Sequence, residues 1–448
     1  MKPKNKYFFC LLFFAGMSFI FSQNKKIDSL KILLKTDKED TNKVNHLNNF
    51  GWELRQSNPD TAIIISNQAL AIAEKVDWKK GIANAFGHLG AYNYIKADYP
   101  KALHYYFKAL KMAEELEDKQ LQTKNLSNIG NVYNSQADYP KALDYYFKAL
   151  KMNEELGDKN GIAINLGNIG VVYMEQADYP KALDYYFKAL KMAEELGNKN
   201  RIAINLGNIG SVYNSKTDYP KALDYYFKAL KMAEELGNKN AIAINLGNIG
   251  SVYLSQTNYP KASPTERNQS FGRALDYYFK ALKMVEELGN KNAIAGHLGN
   301  IGGLYSATKK YAEAEKYLLE ALKLSKEIGA LHHEKSFEKS LSKLYSETNR
   351  FELALTHYKK FIIASDSIAS DENAKKQIRS EMNFEFEKKE ALTKAEQEKK
   401  DLVASEEKTK QKLFLWFTIA GLGIVLVVAV FIFRSLRINK KKNKIITE

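Results

Sequence analysis

Seven histidines, one cysteine, a glycine-rich NLGNIG run and tyrosine-rich DYYFKAL runs are the residues with which this 448-residue chain could do chemistry. A metal site or an acid–base pair needs several such groups converging on one point. His46, His88, His104, His297, His332, His333 and His357 are scattered without ligand spacing. Only His332 and His333 are adjacent, and neighbouring side chains on a helix diverge by about 100°. Cys10 stands alone inside an apolar run. NLGNIG would cradle phosphate only after a strand, and none precedes it, so Gly207 and Gly210 are helix-packing glycines. Tyr225 and Tyr226 could stack on rings if exposed; their spacing assigns Tyr226 to the core and Tyr225 to an interface. The expectation is no catalytic residue, no cofactor, no metal and no enzyme, which leaves a binding surface.

That surface must be carried by a repeat. GIAINLGNIGVVYMEQADYPKALDYYFKALKMAEELGNKN, Gly161 to Asn200, returns almost verbatim from Arg201 to Asn240. KALDYYFKALKM stands at Lys141, Lys181 and Lys221, with KALHYYFKALKM at Lys101 and RALDYYFKALKM at Arg273, a register of 40 residues broken only after Tyr259. A fixed period in this range marks a stacked array. Within one unit Ile202, Leu206, Ile209, Val212 and Tyr213 follow helical spacing. Ala222, Leu223, Tyr226, Ala229, Leu230 and Met232 do so again. Asp218 before Tyr219-Pro220 is a helix start, and Gly237 a helix end. Gly210, Ala222 and Ala229 permit close approach, with Tyr213 and Tyr226 filling the space between the helices.

Regular units surround Gly90, Gly130, Gly170, Gly210 and Gly250. A degenerate first unit begins at Thr41 with Gly51, Leu54, Ala62 and Ala69. Gly302, Tyr305, Ala314 and Ala321 mark a seventh unit, and Ser342, Tyr345, Ala354, Tyr358 and Phe361 a last one. Eight units over 41–365 result, behind a lead-in helix at 23–40. SPTERNQSFGR, 263–273, interrupts the sixth; its Ser, Pro, Asn and Gly content predicts an exposed loop, either a neutral bulge or a partner-binding loop.

Leu206, Ile209-Gly210, Tyr213, Ala222, Tyr226 and Ala229 meet the pattern of the tetratricopeptide repeat, which this chain resembles in a 40-residue variety. Glu234 stands where the 34-residue version closes with Pro. The resemblance implies an all-α superhelical solenoid whose first helices line a concave face. Carried over by position, that face contains Asn131, Asn134, Val171, Met174, Ser211, Asn214, Ser251 and Leu254. These positions differ between units where packing positions do not. They are the candidate contacts for a protein or peptide ligand.

The formal charge of +15 raises nucleic acid as a partner. One unit, Gly161 to Asn200, carries four Lys against five acids, so the excess lies at the chain ends and no nucleic acid is expected. Residues 1–22 form an export signal: Lys2, Lys4 and Lys6 precede an apolar run to Phe21, either cleaved after Ser22 or kept as an uncleaved anchor, and both leave the repeats outside. A mature chain without cysteine fits an exported protein whose core needs no disulfides. A charged helical stalk follows the array at 366–412, with 11 basic and 11 acidic residues between Asp371 and Lys412. If helical, this charged run is about 63 Å long. Ile378, Met382 and Phe386 form its one apolar stripe, leaving a coiled coil, and with it a homodimer, or a solvated stalk as alternatives. Leu413 to Phe433 is 21 residues without charge, long enough for a transmembrane helix.

A basic tail, 434–448, completes a single-pass protein of the bacterial inner membrane, with its repeats outside and its C-terminus in the cytoplasm. This order of parts resembles the extracytoplasmic sensor half of bacterial repeat-containing membrane sensor kinases and phosphatases. The expected function is binding a protein or peptide outside the cytoplasm and passing the signal to a cytoplasmic partner. An output domain would be lost or separately encoded, or the tail itself would couple. The alternative is a passive scaffold on the outer face of that membrane.

Overall fold

The computed structural model describes residues 26–55, 57–257 and 263–446, and only the backbone of 371–394, 396–397 and 439–446. The export signal, the last two residues of the tail and the stalk stripe at Ile378, Met382 and Phe386 fall outside the described residues or side chains.

Every described element is a helix. A short α1 (26–36) leads into α2 (Thr41–Leu54), α3 (Pro59–Lys75), α4 (Lys79–Ile95), α5 (Tyr99–Glu115), α6 (Lys119–Ser135), α7 (Tyr139–Leu156), α8 (Lys159–Glu175) and α9 (Tyr179–Glu195). There follow α10 (Lys199–Ser215), α11 (Tyr219–Glu235), α12 (Lys239–Thr257), α13 (Pro264–Glu287), α14 (Lys291–Ala307), α15 (Tyr311–Glu327), α16 (Leu331–Glu347) and α17 (Phe351–Ile446). Even-numbered helices open a unit and odd-numbered ones close it.

Local chemistry sets these boundaries. The Asp98, Asp138, Asp178 and Asp218 carboxylates accept from the backbone N–H three residues on, and proline stands in the first turn of each helix they cap. Gly157, Gly197, Gly237, Gly289 and Gly329 close the second helices in the left-handed region, φ between 62° and 67°. The first helices close through Ala97, Ala137, Ala177, Thr217, Lys309 and Asn349 at φ 56–59°, a conformation that strains any residue with a Cβ.

Packing within a unit rests on one glycine. A Cβ on Gly90, Gly130, Gly170 or Gly210 would stand 2.6–2.9 Å from the ring of Tyr106, Tyr146, Tyr186 or Tyr226. The aromatic therefore lies directly on the backbone of the first helix, with Ala222 and Ala229 and their counterparts fully buried beside it. Also within units, Lys159, Lys199, Lys239 and Lys291 of the first helices pair with Glu195, Glu235, Glu287 and Glu327 of the second at 2.7–3.5 Å. Exposed pairs of this kind contribute ~0.2–1 kcal/mol each, so the apolar contacts dominate.

Two expectations are corrected. The segment 263–273 is no loop: from Pro264 it is helix, extending α13 beyond the length of its counterparts. Ser263 accepts from the Glu266 N–H while Glu266 accepts from the Ser263 N–H, a capping box that starts the helix early. Phe271 then takes the place of Tyr219 on the core, and the Arg273 guanidinium covers Tyr253 as Lys221 covers Tyr213. In the last unit Tyr358 is exposed rather than core, and His357 beside it is buried.

The chain divides into two compact units, the first ending at Ala374. The second, from Lys375, consists of the remainder of α17, which contains within Glu398–Ile438 a stretch long and apolar enough to cross a membrane.

Candidate functional site

The first helices of successive units touch one another, α2 with α4, α4 with α6, α6 with α8, α8 with α10, and α10 with α12. Small residues allow this. The Asn125, Asn205 and Asn245 amide oxygens lie 3.6–3.7 Å from where a Cβ would stand on Gly87, Gly167 and Gly207 of the preceding unit. Buried Asn125, Asn165 and Asn245 also donate to the carbonyl four residues back, at 2.8–3.0 Å. Ser127 replaces the glycine once and donates to Asn165 Oδ1 at 2.9 Å. The units opened by α6, α10 and α12 thus dock on the one before through an amide set on a bare stretch of helix, while His297 and Phe337 take the amide's place in α14 and α16.

The eight sequence-predicted positions fall into two sets beside this seam. Asn131, Ser211 and Ser251 face their own second helix: Tyr146 donates to Asn131 Oδ1 at 2.7 Å, and the Tyr226 and Tyr278 hydroxyls meet Ser211 and Ser251 at 2.9 and 3.0 Å. These side chains satisfy core phenols, a packing role the sequence did not reveal. Val171 occupies the same place and packs with Met174 against the core of its unit. Asn134 and Asn214 are half-buried with amide oxygens out of solvent and without a hydrogen-bond partner. Leu254, their counterpart, packs against apolar neighbours.

A further series was missed because it hardly varies. Asn128, Asn168, Asn208, Asn248 and Asn300 recur at one position of five units, where α4 has His88 and α16 has Ser340, and the amides of Asn128, Asn208, Asn248 and Asn300 bond to no other described residue. Asn168 donates to Asn131 Oδ1 at 3.3 Å. One turn earlier stand Ile204 and Ile244, more than half exposed. The signal was identity at a 40-residue spacing on a face that packing does not use.

Charge on the first helices is one-sided. From α4 to α14 the first helices contain nine Lys or Arg and a single acid, Glu175. Lys80 pairs with Asp118, and the helix-start lysines 159, 199, 239 and 291 with the glutamates named above. Lys124 is solvent-exposed, and desolvation by the surrounding protein lowers its pKa. Burial, with Lys124 nearby, also holds the His88 pKa down at about 4, so this imidazole is neutral at pH 7. Among the described residues no three His, Cys, Asp or Glu converge as metal ligands.

The tetratricopeptide repeat profile matches residues 81–155, 121–195, 200–267 and 293–362, more than half of the chain. The chain belongs to the tetratricopeptide repeat family. Its fold is similar to that of the apo quorum sensor NprR from B. thuringiensis, at 19% identity over 75% of this chain and 92% of that one, with a TM-score of 0.52. A signal-transduction ATPase with a tetratricopeptide repeat sensor from Pyrococcus horikoshii gives 18% identity, 78% and 54% coverage, and a TM-score of 0.54. The Rap conjugation gene regulator of plasmid pLS20, solved with the Phr* peptide, gives 14%, 78% and 96%, and 0.50. No curated protein sequence matches this tetratricopeptide repeat chain significantly.

Proposed function

We propose that this protein is a membrane-anchored receptor of the bacterial inner membrane, whose repeats stand outside the cytoplasm and bind an extended peptide, free or part of a partner protein. The eight positions Asn131, Asn134, Val171, Met174, Ser211, Asn214, Ser251 and Leu254 border the binding face on this reading, and Asn128, Asn208 and Asn248 make the contacts. The observation that carries it is the row of unpartnered amides. A peptide backbone offers one donor and one acceptor per residue, which an Asn side chain matches with both its atoms. Packed helices lie about 8–10 Å apart, and an extended chain rises about 3.3 Å per residue, so one Asn would meet every third ligand residue. Ile204 and Ile244 supply apolar contact at the same period. The lack of acids favours a neutral or acidic peptide, and the peptide-bound regulator of the same fold supports the ligand class. The span within α17 would place the basic tail in the cytoplasm, beside a signalling partner.

The test is to pan a random peptide display library on the full chain in lipid nanodiscs and measure enriched peptides by fluorescence anisotropy. Asn208→Ala and Asn248→Ala should each weaken binding by about 2- to 10-fold, the range for ~0.5–1.5 kcal/mol per neutral hydrogen bond. Lys231→Ala, on a second helix, should not. Absence of any enriched peptide, or equal loss at Lys231, would overturn the peptide reading. Protease added to spheroplasts should digest the repeats and spare the tail; protected repeats would end the topological part.

A further inference from the structure

The last repeat leaves open a surface that every regular unit covers. In α11, Tyr219, Leu223, Tyr226 and Leu230 pack against the following unit, where they join Leu246, Ile249 and Val252 in one cluster. Tyr226 is 3% and Leu230 8% exposed. The same places in α17 are Phe351, Leu355, Tyr358 and Ile362, at 64%, 54%, 50% and 38%. No further first helix covers them, because α17 continues unbroken to Ile446. The opposite demand is met elsewhere on the helix. Ala354, His357, Ala364 and Ile368 are buried, with His357 Nδ1 2.5 Å from Glu338 Oε2, Lys326 donating to Glu338 Oε1 at 2.9 Å, and Arg350 donating to Glu315 at 2.7 Å. At 100° per residue the two stripes lie about 110° apart. The open stripe is therefore a second, separate packing face.

Its spacing is informative. Positions 351, 355, 358 and 362 step by 4, 3 and 4, the seam of a left-handed helix pair. Leu353 and Ile363, 42% and 65% exposed, lie about 170° and 110° around the helix from it and stay outside the seam. Counting ~150–250 Å² for a large side chain, the four expose about 400 Å² per chain, so two copies would bury about 800 Å², a small contact of the kind that the high effective concentration of two chains held in one membrane sustains. A second copy needs only the 4-3-4 seam already present.

We propose that Phe351, Leu355, Tyr358 and Ile362 form a parallel, in-register seam with the same residues of a second copy. The parallel sense rests on the membrane-anchored reading above, since two copies spanning one membrane share their direction. The seam lies in the last repeat, ahead of the charged stalk. Each copy closes the other's array as a further repeat would have closed it.

Single cysteines at 351, 355 and 362, and at 356 and 360 as controls, are placed in a Cys10→Ser full chain and oxidised in isolated membranes. Covalent dimers of twice the chain mass are expected at 351, 355 and 362, and at least tenfold fewer at 356 and 360. An antiparallel pair centred on this stretch would hold residues 351 and 351 of the two copies about 16 Å apart, beyond disulfide reach. Leu355→Glu, at an exposed site that leaves helix content unchanged by circular dichroism, should cut cross-linking at 362 at least tenfold. No dimer at these positions, equal yields at the controls, or an adduct of another mass would overturn the proposal. Fractionation separates the two readings: a chain in the soluble fraction that still cross-links at 351 and 362 keeps the seam and removes the anchor.

Discussion

Two glycines one helical turn apart on α8 should respond in opposite directions to the same substitution. Gly→Ala inside a helix is favoured by about 1 kcal/mol of intrinsic propensity. At Gly167 the new Cβ would have the Asn205 Oδ1 as its nearest neighbour, at 3.6 Å, an ordinary contact. Nothing must move, and Gly167→Ala should stabilise the array by ~0.5–1 kcal/mol. At Gly170 the Cβ would stand 2.7 Å from both Cδ1 and Cε1 of Tyr186. That ring is 2% exposed and has no room to retreat. The two helices must part by several tenths of an ångström, an overpacking cost of ~1–3 kcal/mol. Set against the helix gain, Gly170→Ala should be destabilising by up to ~2 kcal/mol. A stacked array need not unfold in one step, so the assay is hydrogen exchange by mass spectrometry on the full chain, unit by unit. Protection should fall in α8–α9 and their neighbours for Gly170→Ala and rise there for Gly167→Ala, leaving α14–α15 unchanged. Equal effects at the two glycines would refute the account of the tyrosine lying on bare helix, and uniform loss along the chain would refute nearest-neighbour stability.

Ala177→Gly relieves the left-handed strain at the end of α8 and should stabilise by ~0.5–1 kcal/mol, whereas Gly197→Ala, at φ 62°, should cost ~1 kcal/mol; denaturant titration of the two variants gives the comparison. Ser211→Ala removes the partner of a buried phenol and should cost ~1 kcal/mol in the same titration, while a loss of ligand binding without loss of stability would return that position to the ligand. His88 is held near 4 when folded against its ordinary 6.5, so the unfolded chain takes the proton first: its contribution is full above pH 6.5 and fades as pH falls towards 4, by at most ~3 kcal/mol. His88→Gln should flatten that part of the stability–pH curve measured by thermal unfolding, and an unchanged slope would show that His88 is not its source.

Helix positions, caps and the glycine–aromatic contact were legible in the sequence because each is local or repeats at a fixed offset. Asp218, Gly237, Gly210 and Tyr226 do in three dimensions what their spacing implied. The segment 263–273 was misread although its Ser-x-x-Glu signature was present, because composition outweighed the cap. The binding face was legible only in part. Variation pointed to Asn131, Ser211 and Ser251, but whether a side chain on the first helix turns inward to a phenol or outward to a ligand depends on the neighbouring helix. The recurring Asn128, Asn208 and Asn248 drew no notice, since a single sequence cannot separate an unchanged packing residue from an unchanged contact. Repetition determined the fold, because each unit repeats the same local free-energy minimum. What lies free on it was decided only by tertiary packing, where burial of one face of every helix fixes which amides, and in α17 which apolar side chains, are left without a partner.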